Sequence, residues 1–356
     1  MDVLSSRILL RPRDLDRSRR FYRDLLGNPV SGPAGNSRPD VRKLARWADG
    51  PLHSATGRER ASILPDTEVV KRLSGSGAGP AGIDTSVPNV ARIYDYILGG
   101  KDNFAADRQA AQQLLAALPD IAGTVRDNRS FIGRVVRFLA GEAGIRQFLD
   151  LGAGLPTQDC VHEMAQAIAP DARVVYVDND PVACSHGQAL LVPRDKVGFV
   201  LGDLRRPAEI LRHPEVLARL DFSRPVGVLC ACALHFVPDE EKPHQIIAGY
   251  RDHLAPGSYL AITHGITAAT PQDDPDGLVE RVTDVYRNAS AQIHVRPVRD
   301  IERFFDGFEI LEPGVVWMAR WRPDPGTRPA GRPNSLYGGV GRKPGTLAAS
   351  RAARPA

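Results

Sequence analysis

From residue 83 onward, the apolar positions follow two periods in turn. Val90, Ile93, Tyr94 and Ile97 recur at i, i+3, i+4 and i+7, which predicts a helix from Val87-Pro88 to Leu98, ended by Gly99-Gly100. A second helical pattern covers about Ala105–Leu118 and stops at Pro119. A third covers about Asn128–Ala140, with Phe131, Val135, Phe138 and Leu139 on one side. Short, almost continuous apolar runs then take over: Gln147–Leu151, Arg173–Val177, Val197–Leu201, Val226–Ala233 and Ser258–Thr263. Between them lie helical stretches at Asp159–Ile168, Pro181–Leu191, Ala208–Leu211 and Pro243–His253. Apolar strands alternating with helices predict a parallel sheet covered on both faces. Helices at Gly277–Ala289 and Val298–Phe305, a strand near Glu309–Glu312 and a last strand at Leu336–Lys343 complete the pattern. The expected fold is α/β: a seven-stranded, mostly parallel sheet with an antiparallel edge hairpin and an N-terminal helical cap over 83–145.

The flanks read differently. Residues 1–30 suggest a strand, a helix and a turn, and the string RDLDRSRRFYRDLLG resembles the opening of the glyoxalase/vicinal-oxygen-chelate family. The resemblance breaks off after about 30 residues, without the paired modules and His/Glu ligands of that family. It is read as a short fragment without activity, or simply as a small appended helix. Residues 31–82 are rich in Gly, Pro, Ser and Arg and read as a flexible linker; 345–356 reads as a disordered tail.

Composition narrows the class. With 356 residues, 42% hydrophobic and 25% charged, the chain has the make-up of a globular protein. The net charge of +4 hides a division: 1–80 carries +6, 323–356 carries +5, and the middle carries −7. An acidic centre disfavours binding to a nucleic-acid backbone. Only six of the 46 basic residues are Lys, which matches GC-rich codon usage. Cys160, Cys184, Cys230 and Cys232 are too few and scattered for a disulfide framework, and no metal-ligand spacing accompanies them. Reduced thiols, no apolar run near the length of a membrane span and no signal-peptide pattern lead to the expectation of a cytoplasmic protein.

The chemistry concentrates in Phe148-Leu-Asp-Leu-Gly152-Ala-Gly154-Leu-Pro156. An apolar strand ends in Asp150, and a glycine turn leads into a helix. Glycines let a ligand approach the backbone, and the helix start offers free N–H groups. The dinucleotide fingerprint needs a third glycine where Thr157 stands, and an acid beside a pyrophosphate is repulsive. A ligand carrying a sulfonium and an ammonium is instead attracted by it. The second strand ends in Asp178, 24 residues after Gly154, the spacing of an acid on ribose hydroxyls. The third ends in Asp203, placed to accept an adenine amino hydrogen. The three acids in order favour S-adenosylmethionine over NAD.

These residues resemble the Rossmann-like class I S-adenosylmethionine-dependent methyltransferases. More narrowly, VPNVARIYDYILGGKDNFAADR, NRSFIGRVVRFLAGEAGIRQFLDLGAGLPT, VVYVDNDPV, LHFVPDEE and YGGVGRKP resemble an actinobacterial methyltransferase family of undefined substrate, over about 83–344. The resemblance implies that Asp150, Gly152 and Gly154 line the methionine end, Asp178 and Asn179 the ribose, and Asp203 and Leu204 the adenine. It also implies that the helical preamble folds over the cofactor. Lys101, in the polar GGKDN turn, and Arg129 are the candidates for the methionine carboxylate. His235, after the fourth strand, and His264, after the fifth, are the candidate bases. The expected activity is methyl transfer to a small molecule, with no metal and no nucleic-acid partner. The alternatives are a non-catalytic S-adenosylmethionine-binding or regulatory protein and a Rossmann-type NAD(P) enzyme.

Overall fold

The computed structural model describes residues 84–156, 160–191, 195–266, 277–326 and 336–345. The expected glyoxalase-like fragment, the linker and all but the first residue of the tail lie outside them.

Three helices open the described chain. α1 (Val90–Ile97) starts later than the Val87-Pro88 expectation because Asn89 is its N-cap, its side chain accepting from the N–H groups of Ala91 and Arg92. α2 is Ala105–Ala117. α3 (Ile121–Arg137) begins seven residues before the expected start. Gly123, a weak helix former, and the polar but buried Thr124 and Asn128 conceal its first two turns from an apolar count. A π turn, Phe138–Glu142, ends it.

Strands and helices then alternate: β1 (Gln147–Leu151), α4 (Val161–Ile168), β2 (Arg173–Asp178), α5 (Pro181–Leu191), β3 (Val197–Leu201), α6 (Pro207–Leu211), α7 (Pro214–Leu217), β4 (Gly227–Ala231), α8 (Pro243–His253) and β5 (Tyr259–Gly265). α9 (Leu278–Tyr286), α10 (Val298–Glu302) and the strands β6 (Glu309–Ile310), β7 (Val316–Trp317) and β8 (Leu336–Arg342) follow. The sheet order is β3-β2-β1-β4-β5-β8-β6, and β7 pairs with β8. The described sheet therefore has eight strands rather than seven. The extra one is a two-residue pairing of Val316 with Gly338 and Trp317 with Tyr337, too short to leave a periodic signal. β1 to β5 run parallel, and β8 lies antiparallel to β5.

Alternate strand residues feed two cores. Phe148, Val174 and Tyr176 join α3, α4 and α5 on one face. Leu149, Leu151, Val175, Val177 and Val228 meet Ile246 and Tyr250 of α8 on the other. Burial on both faces explains why these strands read as unbroken apolar runs. A third cluster joins Ile93 of α1 and Leu114 of α2 to Tyr286 of α9. The cap is thus built from both halves of the described chain, α9 joining the helices expected over 83–145. Among the described residues no helix is long and apolar enough to cross a membrane.

Candidate active site

The strand order turns back on itself between β1 and β4, the place where open α/β sheets hold ligands beyond their carboxyl ends. Gly152 and Gly154 both take left-handed backbone, with φ of 71° and 65°. A Cβ on Gly152 would lie 2.6 Å from that of Ala233, whereas one on Gly154 would meet nothing nearer than 3.8 Å. Gly154→Ala is therefore expected to lower stability by only the left-handed backbone cost, about 1–2 kcal/mol, read by urea unfolding.

Asp178, 7% exposed at the end of β2, fastens this turn. Its Oδ2 accepts from Gly154 N–H at 2.7 Å and its Oδ1 from Asp180 N–H at 2.8 Å. Burial pushes its carboxyl up to about 6 against those bonds. Asp150, at the end of β1, is pushed up to about 7 by burial; Arg129 opposes the shift and Asp178 adds to it. At the end of β3, burial alone would raise Asp203, but hydrogen bonds from Arg205 hold it below the ordinary carboxylate value. Arg205 Nε lies 2.9 and 2.8 Å from the two Asp203 oxygens. Arg205 also reaches Glu241 at 2.8 Å.

One cavity of about 1110 Å³ gathers these groups. Asp150, Gly152, Gly154, Asp178, Asn179, Asp203, Leu204, Arg129 and His235 all line it. Two expected members do not. Lys101 stands exposed on the turn between α1 and α2, outside the cavity lining. The polarity of that turn serves Asp95 instead, whose Oδ2 accepts from Asp102 N–H at 3.0 Å and from Asn103 Nδ2 at 2.8 Å. His264 is fully buried and also outside the lining. Its Nδ1 donates to Gly265 O at 2.6 Å, and its Nε2 accepts from Arg296 at 2.9 Å. A carbonyl only accepts and a guanidinium only donates, so both ring nitrogens are committed and His264 is no base. Burial holds it neutral, with its pKa down at about 3.

His235 lines the cavity, but its lone pair is taken. Its Nδ1 accepts from Gly265 N–H at 3.2 Å, so the neutral ring carries its proton on Nε2. Burial, followed by His264, Arg296 and His294, pushes its pKa well below the ordinary value. The base role expected for His235 therefore lacks a free nitrogen.

The family described as S-adenosyl methyltransferase matches residues 76–344. The chain belongs to that family. Two solved structures resemble it closely. One, a Thermobifida fusca protein described as a methyltransferase, is 43% identical with a TM-score of 0.69, covering 76% of this chain and 100% of its own. The other, a DUF574 family protein from Streptomyces avermitilis, is 41% identical with a TM-score of 0.68, covering 73% of this chain and 99% of its own. No curated protein matches at a significant level.

The methyltransferase also holds, around this cavity, buried residues that its motifs do not reveal. Arg92 of α1 is buried between two acids, 3.4 Å from Asp107 and 3.4 Å from Asp180. Asp107 in turn accepts from the N–H groups of Asn89 and Phe104. The cap is thereby tied to the residue two beyond Asp178. Asp180 was visible in the DNDP string, but Arg92 gave no signal, since a charge in an amphipathic helix reads as solvated. A second buried chain runs from Tyr94, whose hydroxyl accepts from Asn128 Nδ2 at 2.9 Å, through Asn128 Oδ1 to the Thr263 hydroxyl at 2.8 Å. Thr263 Oγ1 accepts from Cys232 N–H at 2.9 Å, where Cys232 holds left-handed backbone just past β4. Among the described residues no group of His, Cys, Asp and Glu is placed to hold a metal ion.

Proposed function

We propose that S-adenosylmethionine, the cofactor of this methyltransferase, lies across the carboxyl ends of β1, β2 and β3, and that the methyl acceptor is a small molecule in the rest of the same cavity. The observation that carries the reading is the Asp178–Gly154 clasp, which sets an acid and a glycine turn side by side in one lining. The residues fit the cofactor. The left-handed glycines leave room for close approach, and a buried carboxylate already disfavoured as an anion gains from a cationic ligand. Asp150, Gly152 and Gly154 hold the methionine end, with Arg129 facing its carboxylate. Asp178 and Asn179 hold the ribose, and Leu204 the adenine. Asp203 serves the adenine amino group only as far as Arg205 shares its carboxylate. When bound, the cofactor supplies an electrophilic methyl group. The protein's work is to align the acceptor with it and to exclude water.

The cavity, just above the usual range for small-ligand sites, has room for two ligands. The acidic centre and four free thiols support a cytoplasmic enzyme on small molecules, and the Thermobifida and Streptomyces relatives support an actinobacterial origin.

Titration calorimetry with S-adenosylmethionine tests the reading. Free Asp150 is partly protonated near pH 7, and a cationic neighbour lowers its pKa. Binding near pH 6.5 is therefore expected to release protons, seen as a dependence of the heat on buffer ionisation. The release fades by pH 9, where the free carboxylate is already ionised, and it is reduced in Asp150→Asn, which leaves Asp178 as the remaining source. No binding, or binding with no difference between these variants, overturns the placement.

A further inference from the structure

We propose that the methyl acceptor is a planar aromatic phenol that binds as its phenolate, with His235 acting as hydrogen-bond donor to the phenolate oxygen rather than as the base that ionises it. The inference rests on the reading of the cavity just given and assigns its second occupant.

Three observations carry it. The first is the tautomer of His235. A backbone N–H has only a proton to offer, so the Gly265–His235 bond at 3.2 Å takes the Nδ1 lone pair and leaves Nε2–H as the ring's remaining polar group. The groups around the ring do not favour a second proton. His264 faces it from β5 with ring centroids 5.5 Å apart, and His294 and the Arg296 guanidinium stand on the segment before α10. Asp239, beyond Arg296, is held by that guanidinium at 2.7 Å.

The second observation is that, among the described residues, Cys232, Tyr94 and Tyr286 around the end of β4 offer no substitute base. The Cys232 thiol is pushed up to about 11 by burial, opposed by its 3.5 Å contact with the Thr263 hydroxyl, whose own proton goes to Asn128. The Tyr94 hydroxyl donates to Val125 O at 3.3 Å, and burial drives it and Tyr286 well above the ordinary tyrosine value. An acceptor here must bring its own lone pair. The third observation is the wall. The rings of His235 and Phe236 lie 4.5 Å apart, edge to face, and Phe236 lies 5.4 Å from Tyr286. All three line the cavity, with Val282 and Ile293 beside them. Such a wall favours a flat ring.

The phenol loses its proton to solvent before it binds. The phenolate lone pair then forms the new oxygen–carbon bond while the S–CH3 bond breaks, and that bond's electron pair stays on sulfur as a neutral thioether. No proton passes to the protein, so a donor at Nε2 is sufficient and a base is not required. The donor also holds the oxygen in line.

The test uses the full chain with S-adenosylmethionine and a panel of phenols of graded acidity, beside aromatic amines, thiophenols and aliphatic alcohols, with S-adenosylhomocysteine release as the readout. Phenols alone are expected to turn over, and the rising limb of kcat/KM against pH is expected to move with the acidity of each phenol. His235→Gln keeps an N–H donor and cannot be a base. It is expected to retain activity within about tenfold, whereas His235→Ala loses about 10- to 100-fold, the worth of a hydrogen bond to a charged group. Cofactor affinity and thermal unfolding of both variants, measured alongside, separate a catalytic loss from a folding loss. A limb that stays at one pH across the panel, or a Gln variant as inactive as Ala with cofactor affinity intact, overturns the donor role. Turnover of amines, thiophenols or aliphatic alcohols in place of phenols, or of none of the panel by an enzyme that binds the cofactor, overturns the substrate class. Failure to bind the cofactor overturns instead the placement on which this proposal rests.

Discussion

Asp178→Ala is expected to weaken S-adenosylmethionine binding on the order of 100-fold or more, and to lower the unfolding temperature of the free protein as well. The two effects have separate causes. The proposed ribose contacts are hydrogen bonds to a charged acceptor, each worth about 1.5–3 kcal/mol, and tenfold in affinity corresponds to about 1.4 kcal/mol. The stability loss comes from the clasp. Truncation leaves the N–H groups of Gly154 and Asp180 without their acceptor, and an unsatisfied buried donor costs about 1–3 kcal/mol. Against this runs the burial of the carboxylate itself, whose folded pKa of about 6 exceeds its unfolded value. The sign follows from linkage: the folded state binds the extra proton between pH 4 and 6, so this group's contribution to stability falls as pH rises through that window. The net destabilisation by Asp178→Ala is therefore expected to be larger at pH 5 than at pH 8. Calorimetry gives the affinity and urea unfolding at the two pH values gives the stability. Unchanged affinity in a folded variant would remove Asp178 from the cofactor site.

Arg92→Ala is expected to produce the largest loss of stability, about 3–5 kcal/mol. Removing one partner of a buried ion pair strands the other, and here two buried acids are stranded together. Asp180 is already raised by burial, with Arg92 the main charge opposing that rise. Adding Asp180→Asn to Arg92→Ala should recover part of the loss, because the stranded charge is gone. A double-mutant cycle by urea unfolding reads the coupling, expected to be about 0.5–3 kcal/mol. Purely additive losses would show that Arg92 does not act through Asp180. Because Asp180 lies beside Asp178, cofactor affinity is expected to fall in the single variant too.

The strands were legible because burial on both faces keeps them nearly continuously apolar, polar residues such as Asp150, Thr263 and His264 falling toward their carboxyl ends. The runs at Gln147–Leu151 and Val197–Leu201 match β1 and β3 residue for residue. Helix starts were less so. Asn89 moved α1 by a cap, and Gly123 with the buried polar Thr124 and Asn128 hid the first two turns of α3. Of the site, the acids and glycines could be read because strand ends converge wherever a parallel sheet forms. The histidines could not, since His235 and His264 look alike in sequence. Their difference lies in which partner, Gly265 or Arg296, reaches each ring nitrogen.

The amino-acid sequence by itself determined the layered sheet, the glycine turn and the row of acids, all of them set by local period and by chain direction. Only the tertiary structure decided that α9 closes the cap, that Arg92 is buried, that Lys101 stands exposed outside the cavity lining and that neither histidine has a lone pair to spare. The physical reason is the same in each case. Periodicity records which side of an element is dry, but hydrogen-bond and charge partners come from segments far apart in the chain, and nothing in the local pattern of either segment names the other.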